Sequence, residues 1–219
     1  MDDAVPAVEV APHTLSRWTR PLSALPDAIT ACGCLVVWIA PQALGKDAVK
    51  TVLLMMLMEF ILLHATGFFT TIAAPTDTPP TRRILKLLGL AAFYMLFVGV
   101  WAFVFNAWWP VTVFAWLVVG KIAWVFTSPR GRDAEMARQM KAWAFSMLAY
   151  VGAVFAGLML PLPRLGLDSA TVAAMRMTFS GAWIDRPHTA IASAVLYYSA
   201  LALFKARDGN IPLPNLRRT

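Results

Sequence analysis

Residues 51–74 read TVLLMMLMEFILLHATGFFTTIAA, and this stretch decides the fold. At about 1.5 Å per residue, such a run covers the roughly 30 Å hydrocarbon core of a bilayer as one helix. Glu59 stands near its middle and His64 follows within the same run. A carboxylate at that depth costs roughly 2.5–3.5 kcal/mol on insertion scales. It therefore demands a partner, a proton, a bound ion or a water-filled cavity, which makes Glu59 the first functional candidate.

The rest of the chain repeats the pattern. Apolar runs cover 28–44, 51–74, 87–105, 111–126, 142–160 and 189–204. Of the 219 residues, 59% are hydrophobic and 14% charged, against about 25% charged in soluble domains. Only helices and closed barrels satisfy the backbone in lipid, and continuous runs are not the alternating pattern of a barrel. The expected fold is all-α: a polytopic membrane bundle of six transmembrane helices over 28–205. Residues 1–27 and 206–219 are the expected tails. The first segment is polar (Asp2, Asp3, Glu9, Arg17, Arg20), so no cleavable signal peptide is expected and the first run reads as a retained anchor.

The net charge of +7 does not indicate nucleic acid, because the basic residues flank apolar runs, where they act as topology signals. With the N-terminus inside, the inner segments hold Arg17, Arg20, Arg82, Arg83, Lys86, Arg130, Arg132, Arg138, Lys141, Lys205, Arg207, Arg217 and Arg218. The outer segments hold Lys46, Lys50, Arg164, Arg176 and Arg186. The expectation is a multi-pass protein of the cell membrane, a bacterial inner membrane, with both termini cytoplasmic.

The connections carry their own signals. Asn106-Ala107-Trp108-Trp109-Pro110 reads as a tight outer hairpin, with tryptophans at headgroup depth and proline in the first turn of the next helix. Residues 75–81 hold three prolines and form a stiff connector. The segment 127–141 turns helix-friendly and leads into the fifth span. In 161–188, Asp168 can cap a short interfacial helix reaching Phe179, with Leu167, Val172, Met175 and Phe179 on one side. The alternative is a lid or re-entrant segment over a cavity. Ala149, Ala153 and Gly157 form a small-residue stripe that suits an internal or an oligomer contact.

On a helical wheel Thr66 and Thr70 fall within about 20° of Glu59, whereas His64 lies about 140° round. The second run thus has two polar faces and belongs at the bundle centre, with no direct Glu59–His64 pair. Lys121, inside the fourth run, either snorkels to the interface or pairs with Glu59. Tyr197 and Tyr198 need acceptors in lipid, and one could donate to Glu59. Asn106, Asp185, Arg186 and His188 could form a polar outer mouth, or simply be solvated there. Cys32 and Cys34 lack C-x-x-C spacing and read as small residues at a helix contact. Met55, Met56 and Met58 could suggest Cu(I), with His64 and Cys32. Three methionines in an apolar helix read first as core. No H-E-x-x-H, G-x-S-x-G, phosphate loop or internal repeat is present.

The candidate ion- or ligand-binding set is Glu59, His64, Thr66, Thr70, Lys121, Tyr197 and Tyr198. No catalytic or metal residue is assigned, and the cofactor is left open. The expected function is a transporter or channel subunit with a proton- or cation-linked site at Glu59. It would act as a homo-oligomer or within a larger membrane complex. The alternatives are an accessory membrane subunit and an intramembrane enzyme acting on a lipid-like substrate.

Overall fold

A computed structural model describes residues 19–75, 77–126, 132–174 and 180–207. Of these residues 82% are helical, with no strand among them. In chain order the helices are α1 (Thr19–Ile39), α2 (Ala48–Ala73), α3 (Pro80–Val104), α4 (Trp109–Val125), α5 (Arg132–Met159), α6 (Ser169–Ala174), α7 (Ala182–Asp185) and α8 (Pro187–Ala206). Five of them, α1, α2, α3, α5 and α8, are long and apolar enough to cross a membrane, and α4 is a shorter apolar helix of 17 residues. The chain is a multi-pass helical membrane bundle, as the six apolar runs require.

The central helix is α2, which packs against α3, α4, α5 and α8. Most of its residues are buried, from Leu53 and Met56 to Phe69 and Ala73, but Phe60 and Phe68 are half exposed and leave the side that carries His64 open. The outer helices instead turn large apolar side chains away from the protein: Phe103, Trp116, Leu148 and Met159 are at least 74% exposed. Water would penalise such a surface, but hydrocarbon is its natural contact. Two cores flank α2. One joins it to α1, α5 and α8 around Cys34, Val37, Tyr150 and Tyr197. The other joins it to α3 and α4 around Phe69, Val98 and Phe114.

The start of α1, the end of α2, the start of α3 and the end of α8 lie at one end of the bundle, here the first end. The α1–α2, α3–α4 and α5–α8 connections lie at the second end. Helix α1 begins nine residues before the expected Ala28 and runs through Pro26, then stops before Pro41. A proline inside a helix removes one backbone bond; ending the helix there would leave several polar groups open. Helix α5 likewise starts at Arg132, ten residues before the expected Ala142.

The hairpin between α3 and α4 is tight. Asn106 takes a left-handed φ of 50°, the Ala107 N–H donates to the Ala102 carbonyl at 2.9 Å, and Pro110 lies in the first turn of α4. At the first end, buried Arg83 donates Nη1 to the Ala73 carbonyl at 2.9 Å. It closes the α2 C-terminus, where a cation is favoured.

The first part of the connection from α5 to α8, through Leu167, is anchored to α1. The Gly166 N–H donates to the Trp38 carbonyl at 3.1 Å, and the Trp38 indole N–H donates to the Pro163 carbonyl at 3.1 Å. Leu167 is fully buried in the α1–α8 core. Asp168 caps α6 as expected, accepting the Thr171 N–H at 2.7 Å. The expected extension of α6 to Met175 and Phe179 lies outside the described residues, as do Arg17, Arg130, Arg176, Arg217 and Arg218. The second short helix, α7, had no signal in the sequence beyond its preceding glycine. The small-residue stripe is an internal contact: a Cβ on Gly157 would overlap the Thr189 carbonyl and Ser193 of α8.

Candidate functional site

Glu59 faces α8. The Tyr197 hydroxyl donates to its Oε1 at 2.5 Å and the Tyr198 hydroxyl to its Oε2 at 3.4 Å. Consecutive helical residues differ by about 100° in direction, so this pair straddles the carboxyl instead of stacking on one side of it. From α5, Tyr150 donates to the Met56 carbonyl at 2.9 Å and meets the Tyr197 ring edge-on at 5.5 Å. Three tyrosines thus surround one stretch of α2. Hydrogen bonds to an ionised carboxylate are about twice as strong as neutral ones, and here they also fix its direction.

The sequence reading missed a second acid. Asp27 of α1 is buried and pairs with Lys205 of α8, its Oδ2 2.6 Å from Nζ. Asp27 falls in the expected tail, one residue before the apolar run at 28–44.

Beside Glu59, between α2 and α5, lies a hollow of about 330 Å³ lined by Leu62, Leu63, Thr66, Gln139, Ala142, Trp143 and Ser146. Three of these residues, Thr66, Gln139 and Ser146, carry neutral polar groups suited to water or a small ion. Trp143 is wedged against α2. Its indole N–H donates to the Leu63 carbonyl at 2.7 Å, and its ring occupies the space a side chain at Gly67 would need.

Lys121 does not pair with Glu59. Its Nζ donates to Thr70 Oγ1 at 2.8 Å and to Gln139 Oε1 at 3.0 Å, tying α4 to α2 and α5 near the first end. Thr70 lies 11 residues beyond Glu59 along α2, roughly 16 Å nearer the first end. Gln139 continues the chain of bonds by donating Nε2 to Glu135 Oε1 at 2.8 Å, and Glu135 pairs with Arg138 at 2.6 Å. Thr70 donates its own hydroxyl to the Thr66 carbonyl at 2.7 Å. Thr66 and Thr70 thus belong to one polar stripe, but Lys121 joins its far end, away from the carboxyl.

His64 stands apart. Its Nδ1 is 2.8 Å from the Phe60 carbonyl and its ring lies 4.2 Å from that of Phe60, with no bond to Glu59 among the described residues. Met56 and Met58 are fully buried in different cores, so they do not converge. Among the described residues no group of three or more histidines, cysteines or carboxylates could hold a metal. Cys34 is buried while Cys32 faces outward. The expected polar mouth is divided. Asn106 lines a hollow with Asp47 and Lys50, whereas Asp185 and His188 line another with Arg164. No family model, no curated protein and no solved structure matches the chain.

Proposed function

We propose that the protein is a transporter or channel subunit in which Glu59 exchanges a proton or a small cation with the hollow between α2 and α5. The observation that carries this reading is an intramembrane carboxyl held by two tyrosine hydroxyls of α8 and lying at the edge of a partly polar hollow. The tyrosines stabilise the ionised form and fix its position, while the hydrocarbon around them favours the neutral form. A group balanced in this way can load and unload. Thr66, Thr70, Lys121, Gln139 and Glu135 extend the polar stripe from the hollow towards the first end. Intramembrane acids facing such cavities commonly mark ion pathways.

The first end carries most of the lysines and arginines, which supports a cytoplasmic placement of that end and of both termini in a bacterial inner membrane. The wide apolar faces of α3 and α5 suit lipid or further copies of the chain. The lipid-enzyme reading is weakened, because the ring nitrogen of His64 nearest the backbone is committed to Phe60 and His64 makes no pair with Glu59.

The test is flux in liposomes carrying a pH-sensitive dye, with proton and alkali-cation gradients imposed in turn. Wild type is expected to dissipate one of the gradients. Glu59→Gln should reduce that flux at least about tenfold, and Tyr197→Phe should displace its pH midpoint. Wild-type flux no greater than that of empty vesicles, or a Glu59→Gln flux equal to wild type, would overturn the proposal.

A further inference from the structure

A larger cavity lies elsewhere, and its walls do not include Glu59. Although α1 and α2 are consecutive, α1 packs mainly on α8 and only lightly on α2. A cleft of about 490 Å³ remains between them, under the turn at 40–47. Its walls are apolar: Cys34 and Val37 on α1, Val52 and Met55 on α2. Two threonines also line it, but Thr30 donates its hydroxyl to the Pro26 carbonyl at 2.9 Å and Thr51 to the Asp47 carbonyl at 3.0 Å. Both donors are satisfied one turn back, so the cleft asks for carbon rather than for polar groups. Gly33 keeps it open where any side chain would begin to fill it.

The mouth has a different character. Lys46 and Asp47 lie there, both exposed. Asp47 is 3.8 Å from Lys50, whereas Lys46 has no ion-pair partner among the described residues. The first turn of α2 has no side-chain cap, so its open amides add partial positive charge beside Lys46.

Size decides the occupant. Thr30, at the bottom, is nine residues from the end of α1, which sets a depth of roughly 13 Å. A helix of that length and about 10 Å across would fill roughly 1000 Å³, twice the cleft. A single hydrocarbon chain is much thinner. We infer that the cleft between α1 and α2 binds one chain of an anionic phospholipid, with the headgroup phosphate at Lys46.

Native mass spectrometry tests this on protein reconstituted in vesicles of equal phosphatidylglycerol and phosphatidylcholine and released into gentle detergent. Wild type is expected to retain one phosphatidylglycerol per chain. Lys46→Glu should lower the preference for phosphatidylglycerol about thirtyfold, since a lysine near the membrane surface contributes about 1 kcal/mol towards anionic lipid, reversal roughly doubles the change, and each 1.4 kcal/mol is tenfold. Gly33→Leu should abolish retention of either lipid. Lys46 sits on an exposed turn, so its variant decides the matter even where Gly33→Leu fails to fold. Equal retention of the two lipids by wild type, no retained lipid, an unchanged preference in Lys46→Glu, or a protein partner bound in place of lipid would each overturn the inference. None of these outcomes bears on flux through Glu59.

Discussion

The two flanks of α2 hold it by different means. Towards α5 and α8, directional bonds cross between helices: Tyr150 to the Met56 carbonyl, Trp143 to the Leu63 carbonyl, and Tyr197 and Tyr198 to Glu59. Glycines at 67 and 157 bring the neighbouring groups close enough for this. Towards α3 and α4, aromatic rings do the packing. Phe69, Tyr94 and Phe114 meet at centroid distances of 6.2–6.3 Å, with polar links near the first end at Arg83 and Lys121. In lipid the surroundings are as apolar as leucine, so apolar contact says little about which face must turn inward. Hydrogen bonds and close backbone approach do specify it. The candidate site lies on the specified flank, where a carboxyl can be held in one direction.

The sharpest way to break this contrast is to spoil close approach on one flank only. Gly157→Leu drives a side chain into the Thr189 carbonyl and Ser193, and backbone cannot give way cheaply. A loss of about 3 kcal/mol is expected, the upper end for overpacking. Gly99→Leu on α3 meets open space and should fall within about 0.5 kcal/mol of wild type. Unfolding in mixed micelles by titration with a denaturing detergent measures both. Equal losses in the two variants would mean that the flanks do not differ as argued.

Two smaller losses compare the forces directly. Phe114 is fully buried on the apolar flank. In a water-soluble core Phe→Ala costs about 3–5 kcal/mol. Part of that is transfer from water, which lipid largely cancels, so about 2 kcal/mol is expected for Phe114→Ala. Tyr150→Phe deletes one interhelical hydrogen bond with little change of shape and should cost about 0.6–1 kcal/mol. The same titration reads both. A Phe114→Ala cost below that of Tyr150→Phe would show that ring packing contributes less than the contrast assumes.

Much of this arrangement was legible in residue order. Continuous apolar runs announce spans because lipid leaves the backbone no alternative to helix. The central place of α2 was expected from Glu59 and His64 pointing different ways on one helix; α2 does pack on four helices, but the His64 side is open beside Phe60 and Phe68. Tyr197 and Tyr198 could be named as donors because a phenol in lipid needs an acceptor and Glu59 offers one at similar depth. What stayed hidden were partners set by which helices touch. A wheel gives the direction of Lys121 but not that α5 brings Gln139 within 3.0 Å of it. Asp27 was concealed more thoroughly. A proline and a charge together mark a boundary in water, yet in a bilayer the helix continues through Pro26, and Asp27 finds Lys205 more than 170 positions away.

The smallest expected effect sharpens the contrast at its edge, where the α1–α8 flank meets the connection above it. Asp168 is exposed, and the Thr171 N–H it accepts holds its carboxyl below the ordinary carboxylate range. A lowered value in the folded state means that the cap contributes at pH above the unfolded value of about 3.9. Its contribution disappears as the pH falls through the folded value. Amide exchange at Thr171 should therefore stay protected at neutral pH and rise only in acid. Asp168→Asn keeps an acceptor at the cap but cannot titrate, so its Thr171 protection should be flat across the same range. Leu167, buried one residue earlier, does not titrate, and its amide should remain protected in both proteins. If Thr171 and Leu167 lose protection together in acid, the connection opens as one piece, and the buried leucine does not pin it to the flank that holds Glu59.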